Sequence, residues 1–263
     1  MKKLLSIAIE AAIEAGAEIM KIYAKDFDVE LKQDNSPLTV ADKNANTVIN
    51  SYLIQTKIPI ISEENKQADY KERKDWDTCW MVDPLDGTKE FVKRNGEFTV
   101  NIALIQNKKP VLGVIYVPVT KTLYYGLTSE NKAFKVALKK HQYSAIEIDN
   151  KINEIKPTFK KSNTIKVVGS RSHKSKETEA FIKSLEIEGN IVETVSKGSS
   201  LKFCLMAEGL ASIYPRFAPT MEWDTAAGHA ICNAVGLNVK QTGVNLPLAY
   251  NKENLLNPYF IVE

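Results

Sequence analysis

The stretch that most restricts this chain is an apolar run, Cys79 to Val82, followed at once by Asp83-Pro84-Leu85-Asp86-Gly87-Thr88-Lys89. The run reads as a short buried strand. Two carboxylates three positions apart close it, split by a proline and followed by a glycine. Pro84 fixes one φ angle, and Gly87 admits conformations that other residues resist. A sharp turn straight after a rigid strand would aim Asp83 and Asp86 at one point and leave the Leu85 carbonyl facing it. Gly87, Thr88 and Lys89 would then present backbone N–H groups, as a helix start does. Oxygen ligands beside an N–H cradle suit a hard cation holding a phosphate. Taken alone, Pro-Leu-Asp-Gly is equally an ordinary surface turn, so the matching pieces must come from elsewhere in the chain.

With 263 residues, the chain can form one large domain or two intimate ones. Hydrophobic content of 44% and charged content of 25% are those of a soluble globular protein. A net charge of +3 is too weak to argue for nucleic acid, and the lysines at 135, 139, 140, 160 and 161 read as solvated faces. Cys79, Cys204 and Cys232 are isolated in apolar surroundings and read as reduced core residues of a cytoplasmic protein. No Cys/His spacing suited to zinc occurs. The N-terminus begins like a signal peptide, but Glu10 and Glu14 interrupt its apolar run. Leu4, Ile7, Ala8, Ala11, Ala15, Ile19 and Ile22 instead fall at helical spacing and describe a core-packing amphipathic helix. No run approaches transmembrane length.

Periodicity predicts a helix over 3–24, a strand over 26–33, a turn at 34–37 and a second helix reaching about residue 55, with Asp42 near its start. Pro59 to Ser62 is a strand running into Glu63 and Glu64. Residues 65–75 are polar and read as a mobile loop or a short helix. Strands over 97–106, 110–117 and 121–127 form an antiparallel meander, and 132–138 offers a further strand. The lysine-rich segment 139–163 divides the chain into an α+β half, 1–140, and an α/β half, 141–263. In the second half strand and helix alternate: strands at 165–169, 191–195, 210–216 and 259–262, helices at 176–187, 200–208 and 224–235.

Glu64, Asp83, Asp86, Asp224 and Asp42 thus each stand at the end of an element, with Thr88 beside the densest pair. Ser36-Pro37-Leu38-Thr39-Val40-Ala41-Asp42, Ser62-Glu63-Glu64, Asp83-Pro84-Leu85-Asp86-Gly87-Thr88 and Trp223-Asp224-Thr225-Ala226-Ala227-Gly228 resemble the four signatures of the inositol monophosphatase superfamily, in that family's order. The resemblance implies a layered α-β-α-β-α sandwich and a lithium-sensitive, magnesium-dependent phosphatase using two to three Mg²⁺ ions. Within the superfamily the chain most resembles the bacterial 3'(2'),5'-bisphosphate nucleotidases, through Gly169-Ser170-Arg171-Ser172-His173 and Gly198-Ser199-Ser200-Leu201-Lys202-Phe203 with Tyr214-Pro215-Arg216. That branch implies cleavage of adenosine 3',5'-bisphosphate to AMP and phosphate, with a role in sulfur assimilation and nucleotide recycling.

Phosphate monoester hydrolysis is among the slowest uncatalysed reactions, and an enzyme must supply roughly 20 kcal/mol of transition-state stabilisation. Paired divalent ions about 4 Å apart do much of this, and their ligands must converge from several elements. By resemblance, Glu64, Asp83 and the Leu85 carbonyl hold one ion, and Asp83, Asp86 and Asp224 a second. Asp42 lies near a third ion or the attacking water, and Thr88, hydrogen-bonded to Asp42, helps to deprotonate that water. The N–H groups of Gly87 and Thr88 bind the phosphate. Lys202 and Arg216 meet the second phosphate, and Ser199 and His173 meet ribose, phosphate or base. The alternatives are an inositol monophosphatase or sugar bisphosphatase of the same superfamily, and a nucleotide-binding regulator without catalysis. The expected partner is a small-molecule nucleotide bisphosphate and not nucleic acid. The resemblance leaves open peripheral association with the inner membrane, and a homodimer.

Overall fold

The strands Thr99–Gln106 and Lys109–Val117 are buried along nearly their whole length, so both faces of their sheet must be covered. The computed structural model describes residues 1–24, 29–31, 37–143, 153–157, 163–170 and 175–263. Helix α1 (Lys2–Tyr23) comes first, then a small antiparallel pair, β1 (Val29–Leu31) with β2 (Pro37–Thr39), and helix α2 (Val40–Leu53). The main sheet follows: β3 (Ile60–Ser62), β4 (Thr78–Asp86), β5 (Thr99–Gln106), β6 (Lys109–Val117), β7 (Thr122–Leu127), β8 (Lys132–Ala137) and β9 (Glu154–Ile155), neighbours in that order. β3 is parallel to β4, and every other pairing in the sheet is antiparallel. Two short helices interrupt the run of strands, α3 (Tyr70–Arg73) and α4 (Thr88–Val92).

Alternation along each strand sends side chains to two cores. Trp80, Val82, Val100, Ile102 and Leu104 meet the apolar stripe of α1 and Ala41, Ala45 and Ile49 of α2. Cys79, Met81, Ala103, Ile105 and Ile115 face the other way, toward helices of the second half of the chain. Those are α6 (Leu201–Ala207) and α7 (Glu222–Ala234). Gly113 makes the close approach of α7 to the sheet feasible: a Cβ there would lie 2.2 Å from the Ala227 carbonyl oxygen.

Beyond α6 and α7 lies a second sheet. β10 (Thr164–Ser170) and β11 (Ile191–Lys197) pair in parallel, joined through α5 (Lys176–Ile187), which packs on β11. A bridge from Val167 to Ile213 leads on to β12 (Tyr214–Arg216), which pairs with β14 (Phe260–Val262) and through it with β13 (Val239–Gln241). The layers are therefore helix, sheet, helix, sheet, helix, as the resemblance implied.

The structure departs from the sequence reading in a few places. Glu154–Ile155, inside the lysine-rich divide, pairs with β8 and lengthens the main sheet. β13 falls in a stretch that gave no strand signal, and only Tyr214–Arg216 of the expected 210–216 strand is a strand. Residues 65–75 contain α3, whose Arg73 is 3% exposed, so this segment is anchored. Of the expected strand 26–33, Val29–Leu31 is seen and the rest lies outside the described residues. No described helix is long and apolar enough to cross a membrane. Cys79, Cys204 and Cys232 are free and buried.

Candidate active site

Strand β4 does not end before its acids, as the sequence suggested; it runs through both of them. Asp83 pairs with Asn101 and Asp86 with Thr99, with the register shifting between them. Two residues, Pro84 and Leu85, thus stand opposite one, Val100, and form a bulge. The bulge changes the parity of the strand. Residues three apart on a regular strand face opposite sides, whereas Asp83 and Asp86 both share a face with Asn101 and Thr99. That is the face of Met81 and Ala103, turned toward α6 and α7. The Asp83 carboxylate closes the bulge locally, its Oδ1 accepting from the Leu85 N–H at 3.1 Å. The turn itself comes at Gly87, where φ is +92° and a Cβ would lie 3.1 Å from the Glu97 carbonyl oxygen.

The same parity rule identifies the glutamate on β3. Ile61 lies beside Met81 in the register, and the ladder continues with the Glu63 N–H donating to the Val82 carbonyl at 3.1 Å. Glu63 therefore shares the face of Ile61 and stands level with Asp83. Its charge is the largest carboxylate influence on Asp83 and also acts on Asp224. Glu64, expected from the sequence at this place, is out of phase by one residue, and the structure gives the position to Glu63. The signal was present in the alternation of Ile61 and Glu63 beside Met81 and Asp83.

Asp42 lies in the first turn of α2, 1% exposed, and its charge reaches Asp83. Thr88 opens α4, and its hydroxyl donates to the Leu85 carbonyl at 3.3 Å, so that proton is not directed at Asp42 as expected. Across the cleft, the second half contributes Ser199, Lys202, Arg216 and Asp224, which together with Asp86 and Gly87 line a cavity of about 140 Å³. Asp224 is in the first turn of α7 and accepts from the Met221 N–H at 2.9 Å, so its place is set by its own helix start. Ser199 takes a left-handed φ of 42°. Next to it the Ser200 hydroxyl donates to Asn101 Oδ1 at 2.7 Å and lies 2.8 Å from the Thr99 hydroxyl. These bonds fasten the second half to β5 beside Asp86, which itself accepts from Asn101 Nδ2 at 3.3 Å. Glu97 adds another, accepting from the Gly198 N–H at 2.8 Å. The Lys202 ammonium is buried and donates to the Ser199 carbonyl at 2.5 Å. His173, with Arg171 and Ser172, lies outside the described residues.

Electrostatically the cleft has two poles. Burial, with the charges of Glu63, Asp86, Asp224 and Asp42, pushes the Asp83 carboxyl well above its ordinary range. Burial and then Asp86 raise Asp224 to about 8. Asp86 is raised by burial, a shift opposed by Lys202 and by the bond from Asn101. Lys202 is lowered to about 8, chiefly by burial. Among the described residues, the acidic pole is made of oxygen donors alone, which is the chemistry of a hard divalent cation. Among the described residues, no three of these side chains close around a single point as ligands do. The donor set fits such a cation by chemistry and by its mutual repulsion, which a positive charge would relieve.

A buried carboxylate set on a bulged strand, faced by an acid from a helix start, in a five-layer sandwich, defines a class. The chain belongs to the inositol monophosphatase family, which it matches over residues 1–258. It is 45% identical to the 3'(2'),5'-bisphosphate nucleotidase CysQ of Salmonella typhimurium over 264 residues, covering 98% of this chain and 99% of that one. The nucleotidase of the same name from Escherichia coli K12 is 44% identical with the same coverage. Among solved structures, CysQ from Bacteroides thetaiotaomicron, described as a bacterial member of the inositol monophosphatase family, superposes with a TM-score of 0.88 at 50% identity. That comparison covers 100% of this chain and 97% of the other.

Proposed function

We propose that this protein is a Mg²⁺-dependent 3'(2'),5'-bisphosphate nucleotidase that hydrolyses the 3'-phosphate of adenosine 3',5'-bisphosphate, giving AMP and phosphate. The observation that carries this reading is the two-pole cleft. Asp86 and Asp224 stand in the same cavity as Lys202 and Arg216, and Arg216 Nε is a buried donor with no hydrogen-bond partner among the described residues. An inositol monophosphate offers one phosphate, which the acidic pole would take through its cations. A nucleotide bisphosphate brings a second, and a basic pole suits it.

In this reading Glu63, Asp83, Asp86, Asp224 and the Leu85 carbonyl hold the cations, with Asp42 beside them. When bound, Mg²⁺ supplies charge neutralisation for the phosphate and acidification of water. The chain's own groups do the rest. Asp42 and Thr88 hold the attacking water, and the Asp42 carboxylate takes its proton. The N–H groups of Gly87 and Thr88 orient the phosphate oxygens. A P–O bond forms to the water oxygen, the P–O3' bond breaks, and the leaving O3' takes up a proton. Lys202, Arg216 and Ser199 hold the rest of the nucleotide, and His173 is assigned to the same task. Such an activity belongs to nucleotide recycling in sulfur assimilation, in the cytoplasm.

The test is phosphate release from adenosine 3',5'-bisphosphate, inositol 1-phosphate and fructose 1,6-bisphosphate, with and without Mg²⁺ and Li⁺. A clear preference for the nucleotide, dependent on Mg²⁺ and inhibited by Li⁺, is expected. Preference for inositol 1-phosphate would refute the nucleotide assignment, and turnover unaffected by chelation would refute the cation site.

A further inference from the structure

Behind the acidic pole, three buried polar side chains join the two halves of the molecule. Arg73 is 3% exposed, Asn251 1% and Glu222 0%. Arg73 Nη1 donates to Asn251 Oδ1 at 2.7 Å, and Asn251 Nδ2 donates back to the Arg73 carbonyl at 2.6 Å. The Asn251 N–H donates to Glu222 Oε2 at 2.5 Å, and the Lys252 N–H to Glu222 Oε1 at 3.1 Å. Arg73 also donates to the carbonyls of Lys252 and Glu253, at 3.1 and 3.2 Å. Each end of this chain of bonds leads to an acid of the cleft. Glu222 opens α7, two residues before Asp224. Arg73 closes the segment that begins at Glu63, and its Nε donates to the Ala68 carbonyl at 3.1 Å.

The far end of that segment is held as well. The Ser62 hydroxyl donates to Asn46 Oδ1 at 2.8 Å, and Asn65 Oδ1 accepts from Asn46 and Asn50 at 2.9 and 3.1 Å. Residues 62–73 are thus tied at one end to the helix that bears Asp42 and at the other, through Asn251, to the helix that bears Asp224. Burying Arg and Glu is expensive, and apolar residues of similar size would hold a core at least as well. What directed bonds add is a fixed distance.

We infer that Arg73, Asn251 and Glu222 are positioning residues for the cation site: the clamp sets the separation of Glu63 and Asp224 across the cleft. This rests on the function proposed above. Asn251 is the informative position, because its φ is +56°. Glycine adopts that conformation freely, so Asn251→Gly deletes the bridging side chain while leaving the backbone at ease. Arg73→Lys is the second variant; it keeps the charge but lacks the planar fork that serves the four acceptors of Arg73.

The experiment is calorimetric titration of the metal-free protein with Mn²⁺, alongside kcat, KM and the Mg²⁺ concentration for half-maximal phosphate release. Supporting groups behind metal ligands typically alter affinity by roughly 10-fold or more. Both variants should bind Mn²⁺ about 10-fold more weakly, and the Mg²⁺ requirement should rise in parallel. KM for the nucleotide at saturating Mg²⁺ should stay within about 2-fold of wild type. Mn²⁺ affinity within 2-fold of wild type in both variants, whatever happens to the melting temperature, would reduce the clamp to a folding element. A wild-type protein that takes up no Mn²⁺ overturns this inference and the cation site together, so the two failures are told apart.

Discussion

Replacing Asp224 with asparagine should make the metal-free protein more stable while abolishing its activity. The asparagine Oδ1 can still accept from the Met221 N–H, so the helix start is kept. What is lost is a buried negative charge facing Asp86 and Glu63. The Asp224 carboxyl is raised from the ordinary 3.8 to about 8. Each unit is worth about 1.4 kcal/mol, which gives an upper limit of about 6 kcal/mol. The repulsion is shared with neighbours that relieve it by taking up protons themselves, leaving about 2 kcal/mol for one substitution. In a chain of this size that is about 4–8 °C in Tm. The sign follows from linkage: a carboxyl with a folded pKa above its unfolded one favours the fold below about pH 4, and that contribution is lost as pH rises through about 8. Thermal melts in EDTA from pH 5 to 9 should therefore show Asp224→Asn gaining on wild type as pH rises. With Mg²⁺ the wild type should gain and the variant should not. A metal-free variant no more stable than wild type at pH 8, or one that keeps the full Mg²⁺ shift, would refute this account of the cleft.

Lys202→Met should lower kcat/KM for adenosine 3',5'-bisphosphate by about 2–3 kcal/mol, roughly 30–150-fold, and change hydrolysis of p-nitrophenyl phosphate only a few-fold. Because burial lowers Lys202 to about 8, kcat/KM of the wild type for the nucleotide should fall above about pH 8 as the free enzyme loses that charge. Gly113→Ala would drive a methyl into the Ala227 carbonyl at 2.2 Å, and a loss of about 1–3 kcal/mol in urea melts is expected. Asn101→Leu removes the acceptor of Ser200 and a donor to Asp86, and should cost about 1–3 kcal/mol in the same melts.

Much of this architecture was legible because the periodicities are strong. The meander of β5, β6 and β7 and the helices α1, α5 and α7 stand within a few residues of their expected places. The five layers came from the resemblance, and the alternation of strand and helix in the second half agrees with it. The acids of the cleft were legible as residue types at element ends. Their facing was not, because it depends on register. Glu63 rather than the expected Glu64 stands level with Asp83, a one-residue difference that only pairing with β4 exposes. The strands β9 and β13 were missed because two or three residues carry no period of their own. The clamp at Arg73, Asn251 and Glu222 left no local trace either, since Arg73 lies about 150 to 180 positions along the chain from the other two and meets them only once both sheets are in place.

The extra residue opposite Val100 carries a consequence for how such a cleft can change over time. If the strand kept its three-residue spacing but paired regularly, without the bulge, one of the two acids would look toward α1 and α2 and be lost among Trp80, Val82 and Leu104. The extra residue and the bulge are coupled: losing one without the other turns an aspartate away, whereas losing both together keeps the pair on one face. The interval between the two aspartates and the shape of the backbone across it have to change together, and that pairing is as much a part of the chemistry as the carboxylates are.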